Sequence, residues 1–313
     1  MTTGTSSIGL LFPGQGAQYV GMGKALYDGE PAARAVLDEA AQALGGGFLT
    51  TLFSGPADAL TATDVSQAAI YAVSCAAYAA FLKAHPAVTI GAVAGLSLGE
   101  YSALTAAGCL AFSDGIRLVR ERGRLMQEAA RTLPGSMASV LGLDASAVAS
   151  VCAGIPDVHV ANYNSPGQTV ISGGVDALKQ AAAALAAVGA RKVIPLQVSG
   201  AFHSPFMEAA RRQFAPKLDA VAWREPALPV LSNVTGMPHK DAKGIPALLA
   251  RQVVEPIRWE DNCRLMLAQG IAVFCEIGPG KVLQGLMKKI EPGAAVHPVE
   301  SPAEIAAWAP SGA

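Results

Sequence analysis

The sequence predicts an α/β fold, a mainly parallel sheet covered by helices and interrupted by a small inserted lobe of ferredoxin-like order. Two patterns carry the prediction. Apolar strand-like runs alternate with helical stretches at both ends of the chain, and between Met137 and Ser199 the order changes to β-α-β-β-α-β. Size permits such a fold, since 313 residues with 51% apolar and only 15% charged side chains can bury a large core.

The elements follow in order. IGLLF at 8–12 is a first strand, reached through a lead that lacks the basic start and long apolar stretch of a signal peptide. A helix is expected from Met22 to Leu44. Residues 65–82, VSQAAIYAVSCAAYAAFL, carry no charge, but their alanines and interspersed Gln, Ser and Tyr are too weakly hydrophobic for a membrane span. They are expected to form a buried core helix. TIGAVAG at 89–95 is a second strand, and a helix follows Ser97.

The inserted lobe reads as strand MASVLGL, helix DASAVASVCAG, strand VHVANY, a turn at NSPG, strand QTVISGG, helix VDALKQAAAALAAVG and strand KVIPLQVS. Breakers at Pro134-Gly135 and near Gly200 bound it, so the expected division is a small subdomain at 134–198 and a large one made of 1–133 and 199–313. LPVLSNV and IAVFCEIG then supply further strands and Val282–Ile290 a helix. The last dozen residues, rich in Ala, Pro and Ser, are expected to be a loose tail.

Composition narrows the partners. A net charge of −1 gives no electrostatic reason to bind nucleic acid or an anionic membrane. Cys75, Cys109, Cys152, Cys263 and Cys275 form no CxxC pair and sit in apolar surroundings, which predicts reduced thiols, a cytoplasmic protein and no metal site. GQGAQYVG lacks the spacing of a dinucleotide loop, and Met22 stands where a phosphate-binding loop needs lysine.

The chemistry concentrates at VAGLSLGEYSAL, residues 93–104, where Ser97 sits between two glycine-flanked positions as a strand gives way to a helix. Such a turn exposes a hydroxyl and turns the next amide toward a reacting carbonyl at a helix N-terminus. The plainer alternative is a tight connection whose hydroxyl caps the helix. A nucleophilic serine needs a base. Of five histidines, His85 lies in a loop, His239 in a turn after Pro238, His297 near the tail and His159 at a strand start. His203, in SGAFHSPFM, follows the last strand of the inserted lobe, a position suited to a cleft. Glu208, Asp219, Asp261 and Glu276 are available to orient it, though a backbone carbonyl can do the same.

Seven segments together carry a family resemblance: LFPGQGAQYVGMG at 11–23, GLSLGEYSAL at 95–104, RERGRLMQ at 120–127, NYNSPGQTVISG at 162–173, AFHSPFM at 201–207, RQVVEPIRW at 251–259 and EIGPGKVL at 276–283. In these the chain resembles the malonyl-CoA:acyl carrier protein transacylases. The resemblance implies an α/β-hydrolase-like core with a parallel sheet, plus a ferredoxin-like insertion. It implies that Ser97 takes a malonyl group from malonyl-CoA and passes it to the phosphopantetheine thiol of an acyl carrier protein, with no permanently bound cofactor. His203 would be base and acid, the amides of Gln15 and Leu98 the oxyanion hole, and Gln252 the residue whose carbonyl holds the histidine. Arg122 would bind the malonyl carboxylate and Asn162 would lie near the acyl group. A monomer suits the family.

One departure stands out: Leu96 replaces the histidine of the usual GHSxG. GLSLGEY is similar to discrete acyltransferases that serve polyketide synthases in trans, and AFHS to the malonyl-selective form. The alternatives are a hydrolase of stalled acyl carriers, against which Arg122 argues, and a non-catalytic carrier-binding scaffold, against which Ser97, His203 and Arg122 together argue.

Overall fold

The computed structural model describes residues 7–309. In chain order its strands are β1 (Ile8–Phe12), β2 (Ile90–Gly95), β3 (Ser136–Leu141), β4 (Val158–Ser165), β5 (Gln168–Gly173), β6 (Lys192–Pro195), β7 (Val230–Leu231), β8 (Ile257–Arg258), β9 (Val273–Ile277) and β10 (Ala295–Val299). They make two five-stranded sheets.

The first sheet has the order β10-β9-β1-β2-β7, with every pairing parallel. Parallel strands need crossovers, and the helices that supply them cover the sheet, so its central strand IGLLF is buried at every position. The register sets up the chemistry. Phe12 pairs with Gly95 and Ala94 with Leu231, so the segments after β1, β2 and β7 leave the same edge side by side. That carboxyl edge is where open α/β sheets place their ligands.

The second sheet has the order β6-β3-β5-β4-β8. Its first four strands are antiparallel, and their spatial order, fourth-first-third-second within the segment, is ferredoxin-like. The fifth strand comes from elsewhere: β8 pairs parallel to β4, Asn162 with Ile257 and Tyr163 with Arg258. The fold is thus the mixed α/β arrangement that the sequence predicts, with β8 and β10 added.

Helix Thr63–Ala84 is long and apolar enough to cross a membrane by length and composition, yet 78% of that window is buried inside the fold. It is a core helix. Two expectations are corrected. The helix expected over Met22–Leu44 is two, Lys24–Gly29 and Pro31–Leu44, because Pro31 favours extended backbone at Glu30 (φ −121°) and opens a new helix at its first position. The expected loose tail instead carries helix Pro302–Ala307, capped by the Ser301 hydroxyl, with Ile305 and Trp308 buried. Only residues 310–313 of that tail lie outside the described residues.

Candidate active site

β2 ends at Gly95 and a helix begins at Gly99, leaving three residues to reverse the chain. Ser97 takes the bend, with φ of 52°, a left-handed conformation that costs a non-glycine residue about 1–2 kcal/mol. Both flanking glycines are required, since a Cβ on Gly95 would strike the Gly99 backbone and one on Gly99 the Phe12 carbonyl. Neighbouring side chains hold the bend from both sides. The Ser97 amide donates to Asn233 Oδ1 (2.6 Å), Asn233 Nδ2 donates to the Gly95 carbonyl (2.8 Å), and Gln252 Nε2 donates to the Ser97 carbonyl (2.9 Å). The hydroxyl does not cap the helix.

The Ser97 hydroxyl instead lies 2.8 Å from His203 Nε2. His203 follows two buried anchors, Ala201 and Phe202, and also has a positive φ, 58°. Its Nδ1 lies 2.8 Å from the carbonyl of Gln252, the last residue of helix Ile245–Gln252. A helix's final carbonyls lack intrahelical partners, so this one is available. A carbonyl only accepts, so Nδ1 carries the ring proton and Nε2 presents its lone pair to the serine. Burial, helped by the positive charge of Arg122 and opposed by the Gln252 carbonyl, lowers the pKa of His203 to about 3.

None of the four acids considered for His203 reaches it. Glu208 pairs with Arg211 and Arg212, Asp261 with Arg258, Glu276 accepts the amides of Leu283 and Gln284, and Asp219 ends helix Glu208–Asp219.

Arg122 comes from the buried face of helix Phe112–Thr132 and is 1% exposed. Its Nη2 donates to Ser97 Oγ (3.0 Å) and to Gln252 Oε1 (2.9 Å), and its Nη1 to Gln67 Oε1 (2.8 Å). The guanidinium also lies 5.6 Å from the centre of the Tyr101 ring. Gln15, in the loop after β1, and Leu98, after the serine, make no backbone amide hydrogen bond among the described residues.

A cleft of about 530 Å³ separates the two sheets and is lined by Gln15, Ser97, Arg122, Asn162, Phe202 and His203, among others. Asn162 reaches it from β4, mostly buried, at a register irregularity after Val160. Its side chain makes no hydrogen bond to Ser97, His203 or Arg122. Leu96 lines the cleft beside the serine.

Sequence reasoning missed four polar residues here: Gln67, Glu100, Asn233 and His239. His239, expected in an ordinary turn, is buried with Nε2 2.8 Å from Glu100 Oε1. Two weak signals existed. Glu100 falls inside the serine motif, and Asn233 is the next-to-last residue of the apolar run LPVLSNV. Gln67 had none.

The class follows from the comparison with known families: the acyl transferase domain matches residues 10–310, and the chain belongs to that family. More particularly, it falls among the malonyl-CoA:acyl carrier protein transacylases. It is 42% identical over 289 residues to the malonyl CoA-acyl carrier protein transacylase of Bacillus subtilis (strain 168), spanning 91% of this chain and 90% of the relative. With that of Staphylococcus aureus (strain MW2) it shares 36% identity over 307 residues, 97% of this chain and 98% of the relative. The solved structure of the Coxiella burnetii transacylase superposes with a TM-score of 0.92 at 32% identity, over 96% of each chain. A malonyl-transacylase in complex with its type II polyketide synthase acyl carrier protein superposes equally well, 0.92 at 35% identity, over 96% of this chain and 98% of that one.

Proposed function

We propose that the chain transfers a malonyl group from coenzyme A to the phosphopantetheine thiol of an acyl carrier protein through a malonyl-Ser97 ester. The observation that carries this reading is one hydroxyl shared by a base and a cation: Ser97 Oγ lies 2.8 Å from His203 Nε2 and 3.0 Å from Arg122 Nη2.

Ser97 Oγ attacks the thioester carbonyl while His203 Nε2 takes its proton. The amides of Gln15 and Leu98 donate to the oxyanion that forms, Leu98 at the start of a helix whose dipole favours that charge. Collapse breaks the carbon–sulfur bond, and the departing thiolate of coenzyme A collects the proton from His203. The carrier's thiol then repeats the sequence in reverse roles, giving its proton to His203 and taking the malonyl group. The Gln252 carbonyl keeps the ring in one tautomer throughout. Arg122 gives the malonyl carboxylate two parallel donors, and Asn162 borders the acyl group.

The same reading extends to the setting. The chain divides into a small subdomain at 134–198 and a large one from 1–133 and 199–313, works in the cytoplasm as a monomer, and serves a fatty-acid or a trans-acting polyketide pathway. Malonyl-CoA and the carrier's arm are substrates, and no resident cofactor enters the scheme.

Incubation with malonyl-CoA alone is expected to add one malonyl group to the peptide bearing Ser97, read by mass spectrometry, and holo carrier protein is expected to remove it onto its own thiol. Loss of the group to water with carrier present would instead indicate a hydrolase, and no adduct at all would overturn the catalytic reading. A panel of fatty-acid and polyketide carriers identifies the pathway by relative rate.

A further inference from the structure

Arg122 is a buried cation with no ion pair among the described residues, whereas the arginines that do pair with a carboxylate do so on partly or fully exposed side chains. Its partners are the neutral side chains of Gln67, Gln252 and Ser97. Burial pushes its pKa down; the negative charge of Glu100 pulls the other way. Tyr101 is no source of negative charge, since burial raises the pKa of its own hydroxyl.

Glu100 is itself 1% exposed and makes no hydrogen bond or ion pair with Arg122 among the described residues. Its Oε2 accepts from Gln252 Nε2 (2.6 Å) and from the Asn233 amide (3.2 Å), while its Oε1 is 2.8 Å from His239 Nε2. His239 Nδ1 has no hydrogen-bond partner, so Glu100 is the one side chain that the ring meets. The Gln252 amide therefore bridges the two charges: its N–H side donates to Glu100, and its oxygen accepts from Arg122 Nη2 (2.9 Å).

We infer that Glu100 is the counter-charge of Arg122, acting at one amide's remove through Gln252, and that this spacing keeps the guanidinium ionised with no carboxylate on its donors. A carboxylate in direct contact would occupy the donors that a substrate carboxylate needs. With no carboxylate nearby, the cation would be buried without compensation. A polarised amide between them meets both demands, because its dipole passes stabilisation to Arg122 while taking only one of the five N–H donors of the guanidinium. The same amide donates to the Ser97 carbonyl, and the main chain of Gln252 holds His203, so Glu100 is a positioning residue for all three.

The inference rests on the proposed carboxylate-binding role of Arg122, and its test has one arm that needs no substrate. In a double-mutant cycle, Glu100→Gln is expected to lower the melting temperature in the parent and to cost much less in an Arg122→Met background, where no cation needs compensation. If Glu100→Gln does not fold alone, folding of the double variant is the expected result. Equal penalties in both backgrounds, or failure of the double variant to fold, would overturn the assignment.

The second arm compares donors. Removing a negative charge behind the guanidinium is expected to lower the KM of malonyl-CoA relative to that of acetyl-CoA by about threefold to thirtyfold, for a unit charge in a medium of effective dielectric about 20, whatever change in kcat the two donors share. A parallel change for both donors would mean that Glu100 only shapes the site, and would also overturn it. Should the parent form no malonyl adduct, the proposed function fails while the stability cycle still reports on the pair.

Discussion

Ser97 is held in its left-handed bend by two hydrogen bonds to its own main chain and a third to the Gly95 carbonyl, so the strain is distributed over Asn233 and Gln252. Arg122 adds a donor to the hydroxyl at 3.0 Å. If that guanidinium binds the substrate carboxylate, Arg122→Ala is expected to slow malonyl loading of Ser97 by on the order of a hundredfold, the worth of two charge-assisted hydrogen bonds, while acetyl loading improves relative to it. Equal malonyl rates in the two proteins, by quenched-flow mass spectrometry, would remove the clamp. His203 makes a different prediction. Its folded pKa of about 3 lies below the ordinary 6.5, so the imidazole is already a free base near neutrality, and loading is expected to show no loss on acidification through pH 6.5. Stability carries the cost. Between those two values the unfolded chain binds a proton that the folded one refuses, so stability falls as pH drops below 6.5. Denaturant titrations between about pH 4 and 8 should show a shallower acid-side decline in His203→Gln than in the parent.

At the scale of elements, what the sequence made legible was local. The strand-to-helix turn at 95–99 is readable because its two glycines and its serine are consecutive requirements of one backbone bend. The βαββαβ order is readable because each short element carries its own period and breakers. What was not readable depends on contacts between distant segments. Helix Pro302–Ala307 looks like tail by composition, yet it docks because Trp308 packs edge-on to Phe81 and His85, and His85 Nε2 meets the Ile305 carbonyl at 2.9 Å. Trp308→Ala is expected to cost about 3–5 kcal/mol and to release this helix, seen as faster amide exchange over 301–308 together with a lower melting temperature. His239 was missed for the same reason: its partner Glu100 lies 139 positions away, and nothing near Pro238 announces it.

At the scale of the molecule, the cleft lies between a parallel sheet that carries Ser97 and an antiparallel sheet that carries Asn162, and the division between them was legible from the change of element order. The strand that joins the second sheet from outside was not, since β8 is two residues long and has no period of its own. That short strand has a mechanical consequence. It lies five positions beyond Gln252 and is bonded to β4 at Asn162 and Tyr163, so the far wall of the cleft is stitched to the segment that steadies the imidazole. Spreading the walls apart would tear that seam and unseat the ring together.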